Sequence, residues 1–187
     1  KNDVLHYVQV DSWNPLRAFD PDRPERAPTQ MTYRDAVAFM ESGPASFQTA
    51  MFEAILVAEP RRPDQKPEQL GARVTYRHFF HMFDVPFLYG SSWDQRADEG
   101  ASQVVVLSKE TNERLFGGTD SVGKKLTLSN RVFTVVGVLD TWDPMPRYYD
   151  INNPFDTIRD IFIPFSLTPV MNIRSSGSDY GWKSEPI

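Results

Sequence analysis

Residues 103–139 read QVVVLSKETNERLFGG-TDSVGKKLTLSNRVFTVVGVL, and this stretch decides the fold. Gln103–Leu107 is a short apolar run, the pattern of a strand buried on both faces. Ser108 stands where the strand ends and can cap a helix over Lys109–Phe116, with Leu115 and Phe116 near its end. Gly117-Gly118 stops that helix. Lys124–Leu128 and Arg131–Leu139 alternate as strands, and Ser129-Asn130 between them fits a tight hairpin turn. The order is therefore β-α-β-β. Gly123 and Gly137 lie where a positive φ, a bulge or a close backbone approach is expected.

Upstream, Thr32–Ser42 (TYRDAVAFMES) reads as a helix, with Thr32 as N-cap and Asp35 near the position of a capping box. Tyr33, Ala36, Val37 and Met40 share one apolar face, and Gly43-Pro44 ends the helix. Phe47–Glu59 is read as a strand, although its pattern also allows a helix. Val4–Trp13 and Ala72–Tyr76 read as strands, Arg77–Phe83 as a short helix, and Pro86–Gly90 as extended. The proline-rich stretches Asn14–Pro28 and Pro60–Pro67 read as loops, and polar Ser91–Ser102 reads as a boundary. Downstream, Asp140–Arg159 is irregular. Asp160–Phe165 reads as a last strand, placed at an edge because of Pro164. The tail from Ser175 is polar and expected to be mobile. The whole is an α+β chain.

Composition narrows the function. The 187 residues are 40% hydrophobic and 13% aromatic, enough for a packed core, so a fully disordered chain is excluded. Lys and Arg number 20 against 25 Asp and Glu, for a net charge of −5, so no basic excess exists for a general nucleic-acid partner. The mean hydropathy is −0.45, and no apolar run reaches the roughly 18–20 residues that span a bilayer. No cysteine is present, which removes disulfides, thiolate nucleophiles and cysteine-ligated metals. The chain opens Lys1-Asn2-Asp3 without Met or signal peptide and is expected to be a processed chain or a fragment.

The chemistry on offer is thin. Gly118–Lys125 nearly spells a phosphate-binding loop, but Lys125 replaces the hydroxyl that would hold Mg²⁺, and a strand pattern follows where a helix is needed. His78 and His81 share a helix face with Asp84 nearby, yet Phe79, Phe80, Met82 and Phe83 favour packing over metal binding. Asp140, Asp143, Asp150 and Asp156 crowd one loop without EF-hand spacing and read as a solvated acidic loop. No G-x-S-x-G elbow occurs. Trp13, Trp93, Trp142 and Trp182 lie in or beside loops, as interface anchors or packed against their own domain. No catalytic, metal-ligating or cofactor-binding residue is assigned, and no cofactor is expected.

Residues 103–139 resemble the periplasmic core domain of MacB-like ABC transporter permeases (MacB/FtsX/LolC-type superfamily). The matching motifs are Leu107-Ser108, Leu115-Phe116-Gly117, Val122-Gly123-Lys124 and Val136-Gly137-Val138. Upstream, Tyr76–Phe80 and Val85–Gly90 are similar to the family's Y-F…G-V-P-L-L-x-G-R-x-F stretch, with Ser91 where Arg is usual and Trp93 where Phe is usual. The resemblance is specific over about residues 70–140.

It implies a two-lobed domain: a porter-like part from residues 1–90 and 155–187, and an inserted sabre-like α/β part from residues 91–154. It implies a structural role for Leu107, Ser108, Leu115, Phe116, Gly117, Val122, Gly123, Val136, Gly137 and Val138. It further implies a location on the outer face of the inner membrane, with a transmembrane helix before the domain and three after it. The implied partners are those helices, a cytoplasmic ATP-binding domain, a second permease copy, and in some systems a periplasmic adaptor or outer-membrane channel. Such permeases couple cytoplasmic ATP hydrolysis to export of peptides, macrolides, toxins or lipoproteins, so the chain itself is not expected to be an enzyme. Two other readings stand beside this one: a secreted metal-dependent hydrolase built on His78/His81 and the acidic loop, and a freestanding envelope adaptor. The fragment alone is expected to be a monomer.

Overall fold

The computed structural model describes residues 33–43, 45–60, 66–147, 149 and 155–174. The expected strand Val4–Trp13, the Asn14–Pro28 loop, the Thr32 cap and the tail from Ser175 lie outside the described residues. In chain order the elements are α1 (Tyr33–Ser42), β1 (Met51–Ala58), β2 (Glu68–Thr75), α2 (His78–Met82), β3 (Phe87–Gly90), α3 (Gln95–Glu99), β4 (Val104–Leu107), α4 (Lys109–Phe116), β5 (Lys125–Leu128), β6 (Arg131–Leu139), β7 (Ile161–Pro164) and α5 (Leu167–Met171). Helices and strands are mixed, as the sequence pattern requires.

One seven-stranded sheet runs β3-β6-β4-β7-β2-β1-β5, and β5 pairs again with β6. β6 uses one edge for β4, parallel, and the other edge first for β5 and then for β3, both antiparallel. The β1–β5 contact closes the circuit through Ala58 opposite Leu128, helped by Glu59 N–H donating to Thr127 O (2.9 Å) and Ser129 N–H to Val57 O (2.8 Å). Six strands thus form a closed ring, which leaves few unpaired edges. The β5–β6 turn has φ of 46° at Ser129 and 65° at Asn130, the doubly left-handed turn that suits a two-residue hairpin.

β7 corrects the edge reading. It lies in the middle of the sheet, parallel to β2 and antiparallel to β4, and all four of its residues are buried. Pro164 is tolerated because it is the last residue of the strand. The next residue, Phe165, supplies the N–H that reaches Thr75 O (2.8 Å). Strands from residues 51–90, 104–139 and 161–164 share this one sheet, since β4 and β6 join β2 through β7.

Two cores result. Inside the ring, Phe52, Leu56, Leu70, Val74, Leu107, Leu126, Phe133, Val135, Ile161 and Ile163 pack together with Ala36 of α1 and Leu167 of α5. On the outer face of the β4–β7 region sits an aromatic core of Phe79, Phe80, Phe83, Trp93, Tyr149 and Phe162. Phe79 meets Phe80 at 5.6 Å, Phe83 at 5.0 Å and Phe162 at 5.6 Å between ring centroids, the spacing of edge-on and tilted pairs. Ser91–Ser102, read as a polar boundary, instead contains α3. Asp94 caps it, accepting from Ala97 N–H at 2.9 Å, and Ala97 points into the aromatic core. α5 was also invisible to the pattern, being five residues with Pro169 in its first turn.

Gly137 is where β3 closes on β6. A Cβ built there would stand 2.5 Å from Ser91 O and 2.8 Å from Phe87 Cε1. Backbone on one side and a packed ring on the other leave no easy retreat. Gly137→Ala is expected to lower unfolding free energy by about 1–3 kcal/mol in urea denaturation. A change inside about 0.5 kcal/mol, the usual range of a neutral surface substitution, would show that the β3–β6 approach is not close.

Candidate functional site

The motif residues are spread along one supersecondary unit and do not converge on a cleft. Leu107 ends β4 fully buried, and Ser108 caps α4 with its Oγ accepting from Thr111 N–H at 3.1 Å. Leu115 packs at the border of the inner core, and Phe116 is the last helical residue. Gly117 takes the left-handed conformation at φ 73° and sends its N–H to Glu113 O, so the helix stops there without strain on a Cβ. Val122 is exposed, while Gly123 N–H donates to Val135 O at 2.8 Å. Val136 borders the aromatic core, Val138 lies in the inner core, and Gly137 sits under β3.

The loop that nearly spells a phosphate-binding motif runs from α4 into β5, so no helix follows it. Lys124 reaches Thr119 Oγ1 (3.3 Å) and lies over the Phe116 ring at 5.5 Å. The α2 histidines seat an aromatic side chain. Phe47 packs against His78 at 5.4 Å and His81 at 4.6 Å, and His78 Nδ1 lies 3.3 Å from Gln48 O. The acids of the β6–β7 connection are engaged by cations: Asp140 by Lys109 (3.0 Å), Asp143 by Arg147 (3.4 Å) and Asp156 by Arg159 (2.8 Å). Hydrogen bonds from the Thr141 and Thr157 backbones, then those cations, hold Asp140 and Asp156 below the usual carboxylate range. Asp150 lies outside the described residues. Among the described residues no group of three or more His, Asp or Glu is arranged to hold a metal ion. Trp93 is buried against Phe80 at 5.1 Å, and Trp142 stacks on Tyr149 at 5.4 Å, so both pack within the domain; Trp13 and Trp182 lie outside the described residues.

Three polar clusters escaped the sequence reading. In the first, Glu53 of β1 bonds both Arg73 (2.8 Å) and Arg159 (2.7 Å), and Arg73 is 5% exposed, its guanidinium 5.7 Å from the Tyr149 ring. In the second, Asp160 accepts from Gly71 N–H (2.8 Å), Thr111 Oγ1 (3.0 Å) and Arg114 Nη2 (2.9 Å). An open cleft between them is lined by Glu53, Ile55, Gln69, Gly71, Arg159 and Asp160. The third is Asp98 of α3, 8% exposed, which accepts from the Trp93 indole (2.6 Å) and from Arg77 N–H (3.1 Å). Burial raises its carboxyl above the usual range, against the pull of those two N–H groups and the Arg77 guanidinium. Burial likewise raises the Tyr76 hydroxyl. Glu53 and Arg73 are directly opposite on paired strands, a pairing that needs the register and so is not legible one strand at a time. These groups saturate each other with charge-assisted bonds, an arrangement that fixes geometry.

No helix among the described residues is long and apolar enough to cross a membrane. A family model, the MacB-like periplasmic core domain, matches residues 2–181. The pyoverdine export ATP-binding/permease protein PvdT of Pseudomonas savastanoi pv. phaseolicola (strain 1448A / Race 6) is 29% identical over 104 residues, 55% of this chain and 15% of that protein. The protein of the same name from Pseudomonas syringae pv. tomato is also 29% identical over 104 residues, with the same coverage. The chain therefore spans a small fraction of the length of these relatives. Among solved structures, the extracellular domain of the noncanonic ABC-type transporter YknZ from Gram-positive bacteria superposes with a TM-score of 0.56 at 14% identity, covering 80% of this chain and 75% of that one. The periplasmic region of MacB from Actinobacillus actinomycetemcomitans gives 0.53 at 19% identity, covering 79% and 61%. These two likenesses establish the fold.

Asp98 carries a pH signature. A carboxyl whose folded pKa is raised favours folding below its unfolded pKa, and that contribution is lost as pH rises through the raised value. The stability of the wild type relative to Asp98→Asn should therefore fall as pH rises above the ordinary carboxylate range, in urea unfolding followed by Trp fluorescence. A difference that is flat or rises with pH there would contradict the burial of the charge.

Proposed function

We propose a mechanical role, on the premise that this chain belongs to the MacB-like periplasmic core domain family, the extracytoplasmic part of ABC transporter permeases. The domain transmits to the outer side of the membrane the motion that cytoplasmic ATP hydrolysis drives, and it helps move a solute outward. It does this without chemistry of its own. The observation that carries the reading is the family match over nearly the whole chain, residues 2–181. The site geometry supports it, since the polar clusters tie strands and helices together and satisfy one another.

In this reading the porter-like part is residues 1–90 and 155–187, the sabre-like part is residues 91–154, and the two meet where β4 pairs with β7, β3 with β6 and β1 with β5. The partners are membrane helices on either side of the domain, an ATP-binding domain, a second permease copy, and an adaptor or outer-membrane channel where the envelope has one. The relatives' printed name, pyoverdine export, supports export as the direction. Peptides, macrolides, toxins and lipoproteins are the substrate classes that the family resemblance brings.

Replacing the domain by a flexible linker in the whole permease separates the mechanical role from the motor. ATP hydrolysis in membranes should persist within about threefold, because the motor lies elsewhere, while export of added pyoverdine should be lost if that is the solute. Should pyoverdine not be moved by the intact permease, a macrolide and a cationic peptide serve as the next probes. Export that continues after excision would overturn the reading.

A further inference from the structure

We infer that Asp160 is the joint through which α4 and the β1–β2 hairpin move as one body. This deepens the mechanical reading and rests on it. Asp160 stands one residue before β7, on the seam between the two parts. Its Oδ1 accepts from Thr111 Oγ1 (3.0 Å) and Arg114 Nη2 (2.9 Å), both on α4. Its Oδ2 accepts from Gly71 N–H of β2 (2.8 Å), and its backbone carbonyl accepts from Ser108 N–H at the α4 cap (2.9 Å). Arg114 continues the chain of contacts, its Nε donating to Glu68 at the start of β2 (2.6 Å). The neighbouring Arg159 does the same for β1, bonding Glu53 through Nε at 2.7 Å.

One carboxylate thus spans positions 46 to 89 residues apart in sequence and ties two elements, α4 and β2, with three directional, charge-assisted bonds. The ion pairs themselves are 33–42% exposed, a setting in which such pairs add little to stability. Their effect is to fix relative position. A small change in folding with a large change in coupled movement is what separates a joint from ordinary packing.

Two variants test this. Asp160→Asn keeps the shape but turns one oxygen into a donor, so either Gly71 N–H or the Thr111/Arg114 pair faces another donor. Arg114→Lys keeps the charge but cannot bridge Glu68 and Asp160 in a fork. It alters an exposed side chain and decides the matter if Asp160→Asn fails to accumulate. The readout is hydrogen–deuterium exchange on the whole permease in nanodiscs, nucleotide-free against ATP plus orthovanadate, with peptides covering residues 51–75 and 109–116. In the wild type both regions should change together, by about threefold or more in exchange rate, and in both variants the change should remain in one region only. Paired changes that survive in both variants, or a wild type in which only one region responds, would overturn the joint. A domain that shows no nucleotide-dependent change anywhere would instead overturn the mechanical reading itself.

Discussion

β7 is buried on both faces, and the rest of the structure is arranged around that constraint. Ile161 and Ile163 face the ring interior, while Phe162 faces the aromatic layer. Each such side chain is worth about 1.5–3 kcal/mol when removed from water, so neither face can be left open. The inner face is covered by curling the sheet until β5 meets both β6 and β1. The outer face is covered by α2, by α3 with the Trp93 that precedes it, and by the β6–β7 connection; Phe79, Trp93, Ala97 and Tyr149 pack there. A strand only four residues long therefore joins the two halves of the sheet.

The polar groups follow from the same geometry. Covering the outer face of β2 buries Arg73, and a buried guanidinium needs charge and a ring face around it, supplied by Glu53 and Tyr149. Covering the sheet with α3 buries Asp98, which is stabilised by Trp93 and by the backbone of Arg77. Asp160 closes the gap between α4 and the hairpin at the entrance to β7. The clusters sit at joins between elements, where they fix the position of one element against the next.

Much of this was legible in the sequence where the signal was local. Ser108, the α4 helix, the Gly117 stop and the Ser129-Asn130 hairpin depend on neighbours within a few residues, and each stands where the pattern put it. Readings that depend on partners far along the chain fared less well. Pro164 suggested an edge because proline lacks an N–H, but its terminal position removes the conflict in a central strand. α3 was hidden because its short helix shows charges to solvent and buries only Ala97 and Asp98. Glu53–Arg73 and the Asp160 contacts join residues 20 to 89 positions apart, and no spacing rule reaches that far. The family, by contrast, was legible from glycine and apolar positions between 103 and 139, because a scaffold is written in caps, turns and buried runs.

The account stands on β7 joining β4 to β2 within one sheet. Cross-strand nuclear Overhauser contacts in solution test that most directly. The expected result is contacts of Val106 with Phe162 and of Leu107 with Ile161 on one side, together with contacts of Val74 with Ile163 on the other. If the amides of β4 and β7 are protected from exchange but those contacts are missing, the two halves are not joined through this strand, and the account is wrong.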